Sequence, residues 1–413
     1  MSALTEKIVI VGAGQAGGRA AEALRLAGHT GPLTLIGEEN EPPYERPALS
    51  KGVLLGTEAE SSTHVLPRAA YAERNITLRL GTWVEAIAPA AQRLLLSDGE
   101  WMAYDKLLLC TGSRVRPLHG VPDIAGVHYL RTLADCRRLK ADLQPGARMI
   151  IVGGGFIGLE IASTALKRGV TVSVVERQPF LLERVVPRAI AAAVQDLHRS
   201  RGVTLHLNTA AVEILGDRRV TGIRLADGRV LPAGIVLIGI GILPNTELAE
   251  AAGAASDDGV IVDEFGRTTL PNVYAAGDVT SHPNPILGRR LRLESWQNAQ
   301  NQAITVARNM LGGNVTYAEV PWFWSDQLDT NIQMVGAASP DAEVHWRGDP
   351  ASGRAMAFAW EDGRLRYAVA FNNGAELRFA RKLIERGADV SPDLLCNPGR
   401  KLKDIAGAAI QAA

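Results

Sequence analysis

Short apolar runs that end in glycine set the rhythm of this chain. Lys7-Ile8-Val9-Ile10-Val11 runs directly into Gly12-Ala13-Gly14-Gln15-Ala16-Gly17, and residues 19–27 carry a helical pattern. An apolar, β-branched run closed by glycines predicts a buried strand, a tight turn and a helix N-terminus. Leu33-Thr34-Leu35-Ile36-Gly37 predicts the next strand, with Glu38 just beyond it. The same order returns later. Met149-Ile150-Ile151-Val152 leads into Gly153-Gly154-Gly155-Phe156-Ile157-Gly158, a helix to Gly169, a strand over 170–175 and then Glu176. A supersecondary unit repeated at the same internal spacing is an internal repeat.

The remaining pattern fills in two parallel modules and a third piece. Residues 64–74 read as a helix. Residues 76–80, 84–87, 94–96 and 101–103 read as a β-meander around Ser97-Asp98-Gly99-Glu100. Residues 106–110 form a buried strand closing on Thr111-Gly112-Ser113, and 116–122 form a linker. In the second module 128–132 are extended, 134–143 are helical, and Pro187 opens a helix to about Arg201. Residues 203–207, 211–215, 220–225 and 230–231 give a second meander, and 235–238 a buried strand closing on Gly239-Ile240-Gly241. A strand over 272–276 then ends in Gly277-Asp278, and a helix starts near Leu293 and runs to about Leu311. Past Gly312-Gly313 come strands at 332–335, 343–346, 355–360 and 364–371 and a helix over 375–386, the pattern of a small α+β domain.

Both glycine fingerprints, Gly12/Gly14/Gly17 and Gly153/Gly155/Gly158, have the spacing of a dinucleotide-binding turn. The first glycine permits the turn, the second lets backbone approach a pyrophosphate, and the third lets helix and strand pack closely. The phosphate charge then meets unpaired N–H groups at the positive end of the helix. Glu38 and Glu176 stand where a carboxylate accepts a ribose hydroxyl. Two such sites suggest two dinucleotides, one held and one exchanged.

Composition narrows the class. A chain of 413 residues fits two or three domains. Lys plus Arg equals Asp plus Glu at 44 each, so no global basic field favours nucleic acid. Cys110, Cys136 and Cys396 lie far apart, without a Cys-x-x-Cys, which supports neither a local redox pair nor a zinc knuckle. The first apolar run lacks the flanks of a leader and no run has the length of a membrane span. The expectation is a soluble cytoplasmic protein.

Several residues invite chemistry and also have plainer readings. Three prolines stiffen the segment 40–51, so Arg46 and Lys51 could sit against a cofactor ring or its phosphates, or be solvated loop charges. Asp278 could accept from a sugar hydroxyl, or simply serve its turn. Trp296 could lie flat against a ring, or be core. Glu160 falls in the first turns of a helix, where the dipole alone would favour a carboxylate.

Taken together, Pro43-Tyr44-Glu45-Arg46-Pro47-Ala48-Leu49-Ser50-Lys51, the stretch 153–160, the stretch 293–302 and Pro321-Trp322-Phe323-Trp324-Ser325-Asp326-Gln327 resemble the flavoprotein ferredoxin reductases of bacterial oxygenase systems. That group includes putidaredoxin reductase, rhodocoxin reductase and the biphenyl dioxygenase reductase. The resemblance covers nearly the whole chain. It implies an α/β fold of the glutathione-reductase type, with two Rossmann-like domains and a small α+β C-terminal domain. The FAD domain would span 1–115 and 245–320, the inserted NAD domain 116–244 and the C-terminal domain 321–413. Gly12, Gly14 and Gly17 would hold the FAD pyrophosphate and Glu38 its adenosine ribose. Val84 would lie near the adenine, and Arg46, Arg131 and Asp278 would also serve FAD. Lys51 would sit by flavin N5, with Trp296 and Trp324 flanking the ring. Gly153, Gly155 and Gly158 would take the NADH pyrophosphate, Glu176 and Arg184 its adenosine half and Glu160 its nicotinamide, with Gly241 a further cofactor contact.

The implied activity is hydride transfer from NADH to FAD, then single electrons to a 2Fe–2S ferredoxin that feeds a P450 or a Rieske-type oxygenase. The resemblance makes Lys51 and Glu160 the catalytic pair. Ala48 replaces the usual second proline of this loop, and Arg177 follows Glu176. The carboxylate at Glu176 would repel a 2′-phosphate, which favours NADH. Arg289, Arg290 and Arg292 are expected to line a basic docking face for an acidic ferredoxin. Other readings share the two folds: an NADH–rubredoxin reductase, or a redox-sensing flavoprotein of the apoptosis-inducing-factor kind. A disulfide or peroxide reductase would need a cysteine by the flavin, and position 50 is serine.

Overall fold

In the strand Ile8–Val11 all four side chains are buried, and they alternate between two cores. Ile8 and Ile10 pack with Leu24, Leu35, Leu108, Ala303 and Val306, whereas Val9 and Val11 pack with Leu94, Leu96, Leu107, Leu109 and Val273. A strand buried on both faces must be apolar at every position, which is why this run shows no polar alternation. It is the centre of a five-stranded parallel sheet ordered Val273–Ala275, Lys106–Leu109, Ile8–Val11, Leu33–Gly37, Ile76–Leu80. Helices Gln15–Leu26 and Trp296–Met310 supply the first core, and a meander of Val84–Ala88, Arg93–Leu96 and Trp101–Ala103 supplies the second.

The computed structural model describes residues 3–412. The chain divides into two units. The first takes the chain up to Arg46, then Glu60–Arg114 and Leu243–Pro321; the second takes Pro47–Ala59, Val115–Ile242 and everything from Trp322 on. Two strands read from the sequence as meander strands belong to parallel sheets. Ile76–Leu80 is the edge of the first sheet, and Thr204–His206 is the edge of the second. Both are mostly half-buried, and a half-buried edge strand reads in sequence like a meander strand. The helix read over 64–74 is shorter, a 3-10 turn at Glu60–Thr63 followed by Arg68–Glu73, because Pro67 can only precede a helix here.

The second unit repeats the first plan. Its parallel sheet runs Thr204–His206, Thr171–Val175, Arg148–Val152, Ile235–Ile238, Val127–His128, beside a meander of Ala211–Gly216, Val220–Leu225 and Val230–Pro232. It also contains a five-stranded antiparallel sheet, ordered Trp322–Gln327, Thr330–Gly336, Arg364–Phe371, Ala355–Glu361, Glu343–Arg347. Helix Gly374–Arg386 buries Leu377, Ala380, Leu383 and Ile384, and two helices the sequence reading did not resolve, Pro392–Cys396 and Leu402–Ala412, complete the chain. Helix Arg188–Ser200 bridges the parallel module and the antiparallel sheet. Arg188 pairs with Asp341 at 2.5 Å and Arg201 with Asp329 at 2.7 Å. Among the described residues no helix is long and apolar enough to cross a membrane.

Segment Pro47–Ala59 folds with the second unit, although the sequence reading ran 1–115 together. Specific bonds hold it there. Cys136 Sγ donates to the Leu49 carbonyl at 3.3 Å, Thr164 Oγ1 to the Ser50 carbonyl at 2.7 Å and Arg168 Nη1 to the Leu54 carbonyl at 3.1 Å.

One buried histidine in the first unit gives the fold a pH limit. His282 lies on strand Thr280–Asn284, is 2% exposed and has no hydrogen-bond partner at either ring nitrogen. Burial, with help from Arg290, pushes its pKa down to about 4. The unfolded chain therefore takes up a proton below about pH 6.5 that the folded one refuses until about pH 4. Stability should fall across that window by on the order of 3 kcal/mol. Since the ring packs tilted against Tyr317 at 5.4 Å, His282→Phe keeps the packing and removes the titration. Thermal midpoints of wild type and variant should agree at pH 7.5 and diverge in the variant's favour at pH 5. Parallel pH curves would refute this.

Candidate functional site

The first glycine turn sits where the strand Ile8–Val11 ends. Gly12 has φ +110°, and a Cβ there would stand 2.1 Å from the Cys110 carbonyl oxygen. A Cβ on Gly17 would stand 1.9 Å from the Gly12 oxygen. Both glycines are thus required by the fold itself. Gly14 differs. It caps helix Gln15–Leu26 with extended backbone, and nothing lies within 4 Å of where its Cβ would be. No side chain caps the N–H groups at the start of this helix.

Around this turn the first unit holds several of the expected residues. Glu38 is exposed just past strand Leu33–Gly37. Val84 begins its strand half-buried against the second core. Arg46 is held by a cluster that sequence reasoning missed. Its Nη2 donates to Glu39 Oε1 at 2.9 Å and its Nη1 to the Tyr44 hydroxyl at 2.9 Å, while that hydroxyl donates to Glu39 Oε2 at 2.6 Å. Asp278 follows Gly277, which has φ +87°, and accepts from Ser113 Oγ at 3.0 Å. Gln302, 1% exposed, pins this turn by accepting from the Gly277 N–H at 2.8 Å and Thr280 Oγ1 at 3.0 Å. Trp296 opens its helix behind the Ser295 cap, half-buried.

The arginine run before it is largely spent on the fold. Arg290 Nη2 donates to the Val262 and Ser281 carbonyls at 2.6 and 2.7 Å, and Arg292 pairs with Asp258 at 3.0 Å and with Glu294. Arg289 and Arg290 nevertheless remain exposed, and Arg292 is half-buried.

The second unit builds the second turn in the same way. Gly153 has φ +106°, with its Cβ position 2.4 Å from the Gly239 oxygen, and Gly158 closes against the Gly153 oxygen at 2.8 Å. At Gly155 the nearest atom is 3.9 Å away. Glu176 turns its carboxylate back on this loop, accepting from the Gly154 N–H at 2.7 Å and the Gln178 N–H at 2.9 Å. Arg184 is exposed, and its Nη2 lies 3.9 Å from the Cβ position of Gly241. The two therefore share one edge of the site. Arg131 lies before helix Leu133–Asp142, where its backbone N–H donates to Asp135 at 3.0 Å.

Close to that turn the same unit gathers Lys51, Glu160 and Trp324. Glu160, on helix Phe156–Lys167, is 2% exposed. Its Oε2 meets Lys51 Nζ at 2.7 Å and accepts from Ser50 Oγ at 2.5 Å, and its Oε1 accepts from Ser325 Oγ at 2.7 Å. Lys51 Nζ also lies 5.9 Å from the centre of the Trp324 ring, which stacks on Trp322 at 5.1 Å. A buried carboxylate is thus matched by one cation and two hydroxyls, the satisfaction such a group demands. Strand alternation explains the Trp-Phe-Trp-Ser-Asp-Gln run. Phe323, Ser325 and Gln327 share one face, with Phe323 on Phe156 at 4.6 Å, while Trp322, Trp324 and Asp326 take the other.

A pyridine nucleotide–disulphide oxidoreductase family model matches residues 6–303, and a Reductase C-terminal model matches residues 322–406. The chain belongs to this family. The oxidoreductase is 46% identical over 401 residues to the ferredoxin–NAD(+) reductase component of the anthranilate 1,2-dioxygenase system of Burkholderia cepacia, covering 96% of this chain and 98% of that protein. It is 37% identical to rhodocoxin reductase of Rhodococcus erythropolis, covering 96% of this chain and 93% of that protein. Its fold matches that of the crystallised covalent putidaredoxin reductase–putidaredoxin complex with a TM-score of 0.95 and 35% identity, covering 98% and 99% of the two chains. These place it among the ferredoxin–NAD(+) reductases of bacterial oxygenase systems.

The disulphide chemistry in the family's description has no counterpart in this oxidoreductase. Burial pushes the Cys110 thiol up, burial likewise raises Cys396, and Cys136 is buried with its thiol donated to the Leu49 carbonyl. Cys110 and Cys396 are therefore not the low-pKa thiolates that disulfide exchange requires, and Cys136 is not accessible.

Proposed function

We propose that this oxidoreductase oxidises NADH through a bound FAD and delivers electrons singly to a 2Fe–2S ferredoxin that serves an oxygenase. The observation that carries the reading is the buried Glu160–Lys51 pair, anchored by Ser50 and Ser325 beside Trp324. When bound, FAD supplies a ring that takes two electrons together and gives them up one at a time.

The residues fit such a cofactor. The open, amide-lined start of helix Gln15–Leu26 suits a pyrophosphate, and Gln15 Oε1 is buried without a donor, which a sugar hydroxyl would supply. Glu38 would accept from the adenosine ribose, Val84 would line the adenine, and Arg46, Arg131 and Asp278 would complete the hold. Trp296 and Trp324 would cover the ring. Lys51 would present its ammonium to the edge where negative charge develops on reduction, and Glu160 would fix that ammonium and orient the nicotinamide. Gly155 leaves room for the NADH pyrophosphate at the start of helix Phe156–Lys167.

Glu176 sets the coenzyme. Its two oxygens already accept from backbone N–H groups, which hold the carboxylate where the ribose 2′-hydroxyl would donate and a 2′-phosphate would be repelled. Glu176→Ser, next to exposed Arg177, should lower kcat/KM for NADH and raise it for NADPH, each by roughly tenfold. Unchanged preference would remove Glu176 from this role.

Anaerobic stopped-flow mixing of the yellow protein with NADH, then with an oxidised 2Fe–2S ferredoxin, tests the whole reading. Fast bleaching followed by fast reoxidation supports it. Fast bleaching without reoxidation by any ferredoxin would move the acceptor to another class.

A further inference from the structure

The Ser325 hydroxyl that binds Glu160 is the end of a longer buried chain. Gln327 Nε2 donates to Ser325 Oγ at 3.1 Å, and Gln327 Oε1 lies 2.9 Å from His198 Nε2. Ser325, Gln327 and His198 are each 0% exposed. The chain crosses three elements: helix Phe156–Lys167, strand Trp322–Gln327 and helix Arg188–Ser200.

Its direction is fixed by donor and acceptor counting. The Glu160 carboxylate can only accept, so Ser325 must spend its one proton on it. The Ser325 oxygen is then an acceptor, which calls for the amide NH2 of Gln327. That turns the Gln327 oxygen toward His198, whose Nε2 must carry a proton. His198 Nδ1 is buried with no partner, which suits a bare lone pair better than an N–H left unmet. Burial lowers the pKa of His198, only partly offset by the Gln327 bond, consistent with a neutral ring. Every link donates toward Glu160, so the bonds polarise one another in one sense.

We propose that His198 and Gln327 are positioning residues for the reaction of this enzyme: they lock the Ser325 hydroxyl as a donor to Glu160 and thereby hold that carboxylate against Lys51. Without the His198 donor the Gln327 amide is free to turn, and Ser325 can rotate its proton away from Glu160. The carboxylate then shifts relative to Lys51 and to the nicotinamide it orients. The proposal rests on the reading of Glu160 given above.

The test uses FAD-loaded enzyme. ¹⁵N NMR of histidine-labelled protein should show His198 as the neutral Nε2–H tautomer, and an Nδ1–H tautomer would overturn the proposal. In stopped flow, His198→Phe should slow flavin bleaching at saturating NADH by roughly tenfold while KM for NADH moves less than about twofold. His198→Gln, which restores a donor at the same reach, should return the rate to within about twofold of wild type. No slowing in His198→Phe, or equal slowing in both variants, would overturn it. Where His198→Phe fails to fold, Gln327→Leu takes its place, with the same slowing expected and an unchanged rate decisive against. If NADH fails to bleach the unsubstituted enzyme, the functional reading falls and the proposal with it; bleaching at one rate in all variants sinks the proposal alone.

Discussion

Lys51→Met should slow bleaching of the flavin by NADH by roughly 10²–10³-fold, the loss seen when one preorganised charge-stabilising donor is removed. Two effects combine. The ammonium proposed to meet developing negative charge is gone, and Glu160 is left buried with only the Ser50 and Ser325 hydroxyls. Removing one partner of a buried pair costs roughly 3–5 kcal/mol. The lower end applies here, since Lys51 keeps 20% of its side chain in solvent. The thermal midpoint should therefore drop as well. Glu160→Gln in the same background should recover part of the stability, because no buried charge then lacks its partner, but none of the rate. Strictly additive stability losses in the double variant, or a wild-type bleaching rate in Lys51→Met, would contradict this account.

The two glycines of the first turn should fail in different ways. Gly12→Ala meets the Cys110 oxygen at 2.1 Å with φ +110°, so the protein should not fold to a stable state. Gly14→Ala meets nothing within 4 Å and keeps an allowed extended backbone. Its methyl group would intrude only on the space proposed above for the pyrophosphate. The variant should fold with a near-native circular dichroism spectrum yet be purified colourless, with affinity for FAD weakened by roughly 10²-fold or more. A yellow, fully loaded Gly14→Ala protein would show that this turn does not carry the pyrophosphate. Gly155→Ala provides the matching comparison in the second unit, where KM for NADH should rise while the flavin stays bound.

Much of this was legible in the sequence because the decisive signals are local. A glycine that must take positive φ at Gly12 or Gly153 is dictated by its own turn, and the doubly buried strands announce themselves as unbroken apolar runs. What was not legible depends on partners far along the chain. Ile76–Leu80 and Thr204–His206 have the pattern of any half-exposed strand, and only their neighbours make them parallel edges. Lys51 and Glu160 could be singled out by resemblance, and Ser50, Ser325 and Gln327 lie in its motifs, but only the fold sets Ser325, Gln327 and His198 end to end behind Glu160. Glu39, rather than its neighbour Glu38, holds Arg46, a choice set by which way each side chain leaves the strand end. The arginines at 290 and 292 looked available because the sequence does not reveal the carbonyls and carboxylates waiting for them.

The first parallel sheet has an unusual relation to the ribosome. Strand Val273–Ala275 pairs with Lys106–Leu109, yet the entire second glycine module is translated between them. At roughly 5–20 residues per second that gap lasts about 8–30 s. By the time Val273 is made, the parallel sheet from Val127 to Ile238 has all its strands, while Lys106–Leu109 has waited with one edge unpaired. The module begun second can therefore finish first. For that interval the nascent chain carries an unpaired apolar strand edge, the feature most open to pairing with another chain during synthesis.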